Sequence, residues 1–239
     1  MEDKITVLKE FAQECGKIVF FGGAGVSTES GIPDFRSQDG LYHMQYAVPP
    51  ETILSSGYFY SHTEDFYRFY REKMLCFTAK PNAAHKKLAE WERSGKLLAV
   101  VTQNIDGLHQ TAGSKNVYEL HGSVHRNRCL QCGKAYSAET IGRTQGIPRC
   151  ACGGLIKPDV VLYGEPLDEK VVQGALNAIG RADMLIVAGT SLTVYPAAGF
   201  LRYFRGKRLV LINRSETPLD GSCDLVLRAN VGEVLSQID

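Results

Sequence analysis

Apolar positions along this chain recur with two alternating periods. Ile5, Leu8, Phe11, Ala12 and Cys15 return every three to four residues and so share one face of a helix, which Gly16 ends. The run that follows, 17–22, is apolar with β-branched and aromatic residues, as in a strand buried on both faces. Runs of the same kind return at 97–102, 117–120, 184–188, 208–212 and 225–227. Amphipathic stretches lie between several of them, at 82–94, opened by Pro81 and Asn82 and closed before Gly95, and at 168–181. Strands alternating with helices predict an α/β fold with a doubly wound parallel sheet, which binds ligands at the carboxyl ends of its strands.

Two stretches break this rhythm, 37–80 and 123–157. The first carries Tyr58, Phe59, Tyr60, Phe66, Tyr67, Phe69 and Tyr70 at close intervals, a pattern that predicts one or two helices with an aromatic face. The second holds Cys129, Cys132, Cys150 and Cys152. Two close pairs with glycines beside them form a zinc-ribbon layout: each tight turn brings two thiolates to one ion at about 2.3 Å. Four sulfur ligands close the tetrahedron and leave no position for water, so the expected Zn2+ is structural. Because the second pair is C-x-C, tighter than the usual C-x-x-C, His125 stays open as an alternative fourth ligand. Cys15, Cys76 and Cys223 read as small core residues.

Composition narrows the function classes. With 239 residues, 44% hydrophobic and 22% charged, the chain lies far from the profile of disorder. Its formal net charge of +1 supplies no bulk field to recruit nucleic acid or an anionic membrane. No apolar run approaches the 18 or so residues that span a bilayer, and the amino terminus lacks a secretory pattern, so a cytoplasmic protein is expected.

After the first strand comes Gly22-Gly23-Ala24-Gly25-Val26-Ser27-Thr28, a turn whose backbone can approach a phosphate. Gly23 and Gly25 match the first two positions of the dinucleotide fingerprint. Thr28 stands where the third glycine belongs, and no acidic residue follows a second strand at the usual distance, which disfavours an ordinary dehydrogenase. The polar loop beyond it ends in Phe35 and Arg36, suited to cover a flat ring and to meet a phosphate or ribose. On their own, Phe35 reads equally well as a core plug and Arg36 as a solvated charge. Asn104 and Asp106 read on their own as a helix cap before Gly107 and Leu108.

Taken together, GAGVSTESGIPDFRS at 23–37, TQNIDGLHQTAG at 102–113, ELHGS at 119–123, the four cysteines and GTSLTVYPAA at 189–198 resemble the sirtuins, NAD-dependent protein lysine deacylases. The resemblance implies a Rossmann-type part formed by 1–36, 81–122 and 158–239. It also implies a small domain made of a helical insertion, 37–80, and a zinc module, 123–157. By motif, Gly23, Ala24 and Gly25 would cradle the NAD pyrophosphate with Thr28 and Arg36 nearby, and Phe35 would shield the nicotinamide side. Gln103, Asn104, Ile105 and Asp106 would surround nicotinamide and its ribose. Gly189, Thr190, Ser191, Asn213, Arg214 and Val231 would hold the adenosine.

The resemblance also supplies a reaction. The acyl oxygen of an acetylated lysine attacks the ribose carbon carrying nicotinamide, and His121, with Asn104 beside it in the site, deprotonates a ribose hydroxyl that then attacks the alkylimidate. Water resolves the intermediate into free lysine and O-acetyl-ADP-ribose. The segment 160–165 resembles the strand that pairs with substrate, with Val161, Leu162, Tyr163 and Gly164 as contact candidates. Relatives that prefer acidic acyl groups carry Tyr-x-x-Arg in the helical insertion. Here Tyr67 is followed at that spacing by Tyr70, with Arg71 about 100° further round a helix, so a neutral acyl group is expected. Two other functions compete. An ADP-ribosyltransferase would use the same bond of NAD, and a non-catalytic zinc-ribbon binding module would use the basic face of Arg126, Arg128, Lys134, Arg143 and Arg149. A monomer acting on acetylated proteins, without nucleic acid or membrane, completes the expectation.

Overall fold

The computed structural model describes residues 2–34, 40 and 46–238. Helix α1 (Glu2–Glu14) leads into β1 (Ile18–Gly22), whose five residues are all buried. They are buried because both strand edges are occupied and both faces of the sheet are covered. Phe20 pairs with Val100 of β2 (Leu97–Thr102) on one side and with Ile186 of β7 (Met184–Ala188) on the other, both parallel. β3 (Val117–Glu119) extends the sheet past β2, while β8 (Arg208–Ile212) and β9 (Leu225–Leu227) extend it past β7, giving the order β3-β2-β1-β7-β8-β9. This is the expected Rossmann-type doubly wound sheet, with each strand within a residue of its apolar run. Its order reverses between β1 and β7, where such sheets leave a crevice at the carboxyl ends.

The two-residue alternation of β1 feeds two cores. Ile18 and Phe20 pack with Leu8 of α1, Leu88 and Trp91 of α5 (Ala83–Arg93) and Val234 of α9 (Val231–Leu235). Val19 and Phe21 pack on the other face with Ala175 and Ile179 of α8 (Glu169–Arg181). Asn82 and Asp168 cap α5 and α8, each side chain accepting backbone N–H bonds at 2.9 Å.

The insertion departs from the one or two helices expected. Among the described residues it forms three short ones, α2 (Pro50–Ile53), α3 (Ser56–Ser61) and α4 (Thr63–Phe69), and a wide turn at Tyr70–Met74. His62, at φ −132° and ψ 49°, breaks the helical path between α3 and α4. The aromatic face is present: Phe59, Phe66, Tyr67 and Tyr70 are fully buried, Phe59 meeting Phe66 edge to face at 4.9 Å. They pack against an antiparallel sheet, β5-β4-β6, formed by β4 (Gly122–Cys129), β5 (Ala135–Tyr136) and β6 (Ile156–Val160), with α7 (Ala138–Arg143) alongside. β6 ends where the substrate strand was expected to begin. Residues 161–165 form a loop joined to the helical insertion by one bridge, Tyr163 to Ser55. Among the described residues no helix is long and apolar enough to cross a membrane.

One buried pair has a consequence for stability. His85 of α5 and His109 of α6 (Leu108–Ala112) are both fully enclosed, their ring centroids 4.6 Å apart, and neither nitrogen of His109 has a partner among the described residues. Burial pushes His85 down to about 4 against the pull of Asp106, and burial with the neighbouring His85 pushes His109 down to about 3. The fold holds both rings neutral, whereas the unfolded chain binds protons near 6.5. Stability is therefore full above pH 6.5 and falls as pH drops toward 4. The pair should cost on the order of 3 kcal/mol between pH 7 and pH 5. Urea midpoints at the two pH values test this: in His109→Leu about half of the loss should vanish, and an undiminished loss would contradict it.

Candidate active site

At the carboxyl ends of β1, β2, β7 and β8 lies a cleft of about 680 Å3. It is lined by every described residue that the sequence assigned to cofactor, substrate or catalysis: Gly23 to Gly25 and Thr28, Gln103 to Asp106, His121, Val161 to Gly164, Gly189 to Ser191, Asn213, Arg214 and Val231. Phe35 and Arg36 lie outside the described residues.

The glycines of the first loop are demanded by chain packing. Gly23 and Gly25 donate their N–H groups to Ala188 O and Gly189 O, at 3.1 and 2.8 Å. A Cβ on Gly25 would stand 2.8 Å from Gly189 Cα, and one on Gly23 2.7 Å from Gly189 O. Those two N–H groups are therefore spent inside the protein. The loop continues as two short 3-10 turns, Ala24–Val26 and Thr28–Ser30, that carry the chain along the cleft floor.

Between the turns sits Ser27, which sequence reasoning passed over for Thr28. Its hydroxyl donates to Asp106 Oδ2 at 2.7 Å and accepts from Asn104 Nδ2 at 3.1 Å. Asp106 also takes the Leu108 N–H on Oδ1, so the residue that lines the cleft also steadies the start of α6, whose N-cap is Gly107. Asn104 is 8% exposed and does not cap the helix. The Ile105 and Asp106 carbonyls accept from Val124 N–H and His125 Nε2, while their own N–H groups have no partner among the described residues. A hydroxyl in the middle of the glycine loop was the available signal for Ser27. The small-domain wall, Leu54, Met74 and Val124, had none, because only the fold brings it to the cleft.

His121 stands at the junction of the two sheets, just after β3 and just before β4. Its Nδ1 lies 3.0 Å from Gln103 O, and a carbonyl only accepts, so Nδ1 carries the hydrogen and Nε2 keeps its lone pair. Burial lowers its pKa from 6.5, opposed by the Gln103 bond. Gln103 is itself held by Thr190 Oγ1, 3.1 Å from its Nε2. The ring is thus a neutral base, oriented by β2 and β7 together. On the opposite wall, Val161, Leu162 and Tyr163 donate their N–H groups to His121 O, Glu165 Oε2 and Leu54 O. The Val161 carbonyl and Gly164 N–H have no partner among the described residues.

Away from the cleft, the Sγ atoms of Cys129, Cys132, Cys150 and Cys152 lie within 4.8 Å of one another, with Cys129 to Cys152 at 3.5 Å and Cys132 to Cys150 at 3.6 Å. A tetrahedron with Zn–S bonds of about 2.3 Å has sulfur separations of roughly 3.8 Å, so the four fit one Zn2+. A Cβ on Gly154 would come within 2.6 Å of Cys129 Sγ, which is why glycine stands there. His125 is not the alternative ligand, since its Nε2 bonds to Asp106 O.

Comparison with known proteins agrees with this geometry. The model of the Sir2 family matches residues 23–196. The chain is 58% identical to an NAD-dependent protein deacetylase of Clostridium acetobutylicum, over 99% of this chain and 98% of that one. Solved Sir2 structures superpose closely. One with p53 peptide and NAD+ gives a TM-score of 0.86 at 40% identity, over 97% of this chain and 95% of that chain. Another, with deacetylated p53 peptide and 3′-O-acetyl ADP-ribose, gives 0.89 at 40% identity, over 98% and 96%.

Proposed function

The chain belongs to the Sir2 family, the sirtuins, and from that premise we propose that it is an NAD-dependent protein lysine deacetylase. It transfers acetyl from lysine side chains, giving nicotinamide, O-acetyl-ADP-ribose and free lysine. The observation that carries this is the orientation of His121: its Nδ1–H is tied to Gln103 O, and the ring lines the same cleft as the glycine loop and the segment from Val161 to Gly164.

NAD, when bound, supplies a glycosidic bond to a good leaving group. Gly23, Ala24, Gly25 and Thr28 border its pyrophosphate. Gly189, Thr190, Ser191, Asn213, Arg214 and Val231 hold the adenosine. The Ile105 and Asp106 N–H groups donate to the carboxamide oxygen, and Gln103 and Asn104 border the ribose. His121 Nε2 takes the proton of a ribose hydroxyl, and the Gln103 carbonyl stabilises the imidazolium that results. The substrate main chain pairs with the Val161 carbonyl and the Gly164 N–H, the two groups that Leu162 and Tyr163 leave open. Cys129, Cys132, Cys150 and Cys152 hold a structural Zn2+ that takes no part in the reaction. We take the enzyme to be a cytoplasmic monomer that acts on acetylated proteins, without nucleic-acid or membrane partners. Its Rossmann-type part and small domain are divided as the motifs imply.

The test is incubation with an acetyl-lysine peptide, with and without NAD, followed by mass spectrometry. Loss of acetyl together with acetylated ADP-ribose, only when NAD is present, is the expected result. ADP-ribose gained by peptide or protein would favour the transferase instead.

Acyl preference follows from the helical insertion. Tyr67 and Tyr70 are buried, Tyr67 OH donating to Ile156 O, and Arg71 donates to the carbonyls of Ile141 and Gly146. Lys73, which lines the cleft, is engaged by Glu72 at 2.8 Å. Among the described residues of this insertion that line the cleft, the one cation is this already paired lysine, so kcat/KM on succinyl-lysine should be at least about tenfold below acetyl-lysine. Equal rates on matched peptides would overturn this.

A further inference from the structure

The glycine loop is held from behind as well as from the cleft. On the cleft side Ser27 is tied to Asp106 and Asn104, and Gly25 to Gly189 O. On the far side stands Asn82, the cap of α5, which no motif assigned to the site. Its Oδ1 accepts from the N–H groups of Ala84 and His85, at 2.9 and 3.5 Å, and its backbone N–H donates to His85 Nδ1 at 3.3 Å, completing a capping box. Its Nδ2 points the other way and donates twice, to Val26 O at 2.8 Å and to Ser30 Oγ at 3.0 Å. Val26 closes the first 3-10 turn and Ser30 ends the second, so one amide group spans both.

Capping does not require those donors. An N-cap needs an acceptor, and Ser, Thr or Asp supplies one as well as Asn does. Only an amide combines that acceptor with two N–H donors, and here both go to the loop. We propose that Asn82 is a positioning residue for the dinucleotide. It anchors the two turns to the rigid start of α5, so that the loop holds its bound conformation before the ligand arrives. This rests on the loop's being the NAD site. Ordering a loop in advance lowers the cost of binding without touching the chemical step, so losing the anchor should raise KM for NAD and leave kcat nearly unchanged.

Asn82→Ser separates the two roles, because serine keeps the cap acceptor and lacks both donors. We expect KM for NAD and the calorimetric Kd for ADP-ribose to rise about tenfold, the usual effect of losing hydrogen bonds of this kind. Changes in kcat and in KM for the acetylated peptide should stay within about twofold, and the melting temperature should stay close to wild type. Ser30→Ala leaves the cap intact and should give a rise of about two- to threefold, with the double variant no worse than Asn82→Ser alone. A lower melting temperature with unchanged NAD affinity would make Asn82 a helix cap and nothing more. Should Asn82→Ser fail to fold, Ser30→Ala decides, and unchanged NAD affinity there overturns the proposal. Wild-type protein that binds neither NAD nor ADP-ribose would instead refute the site reading on which it rests.

Discussion

Replacing His121 by alanine is expected to lower kcat for deacetylation by about 10²- to 10⁴-fold, the usual contribution of a positioned general base. The loss should fall on kcat, because the ring lies beside the cleft floor, and the loops we propose for NAD are also fixed by bonds it does not make: Ser27 to Asp106, Gln103 to Thr190, and Gly25 to Gly189. NAD affinity should therefore change by no more than a few fold. Stability should fall by about 1 kcal/mol, since Gln103 O loses its donor. The wild-type pH profile gives a second readout. Burial lowers the His121 pKa, so the neutral base persists to more acid solution than a free imidazole would. The acid limb of kcat/KM should have its midpoint below 6.5 and should be absent from the residual activity of the variant. Steady-state kinetics from pH 5 to 8, with calorimetry of NAD binding, check both points. An alanine variant with near-normal kcat would remove His121 from the proton transfer.

Removing the metal site should be equally severe by a different route. Cys129 and Cys150 are buried in the small-domain core with Tyr67, Ile141 and Ile156, so the same sulfurs that hold the ion also fill the space beneath the aromatic face. Structural zinc contributes about 10–16 kcal/mol of apparent binding free energy, comparable with the whole stability of a domain. Cys129→Ser, or exhaustive chelation of the wild type, should unfold the β5-β4-β6 sheet and the helices packed on it. The six-stranded sheet has its own cores on both faces and should survive. Activity should drop by at least about a hundredfold because Leu54, Val124 and Val160 to Glu165, which line the cleft, depend on the small domain. Metal content, circular dichroism and deacetylation followed together test this. A zinc-free protein with full activity would show that the four thiols need no ion.

Legibility in the sequence differed between the two parts of the molecule for a physical reason. The central strands β2, β1 and β7 are buried on both faces, so they read as unbroken apolar runs, and the flanking helices carry strong caps at Asn82 and Asp168. β4 carries His125, Arg126 and Arg128 among its buried positions, and β6 contains Pro158, so neither has a strand's hydrophobic signature; a metal and an aromatic cluster supply what their own patterns do not. The candidate site followed the same division. Residues in the loops after β1, β2, β7 and β8 could be found because loop motifs concentrate polar and glycine residues at strand ends. Ser27 and Asn82 act through other side chains, and Leu54 and Met74 reach the cleft only through the fold.

The place of β1 in the sheet also matters while the chain is being made. Its partners are β2, within the next hundred residues, and β7, whose last residue is Ala188. At about 5–20 residues per second, a ribosome takes roughly 10–30 s to go from the end of β1 to the end of β7. Throughout that interval the apolar strand destined for the centre of the sheet has at least one backbone edge unpaired, the kind of edge on which nascent chains pair with one another. Chains that stop before β7 keep that edge permanently, so truncated products should be far more prone to aggregation and chaperone capture than the full chain, in which β7 closes it.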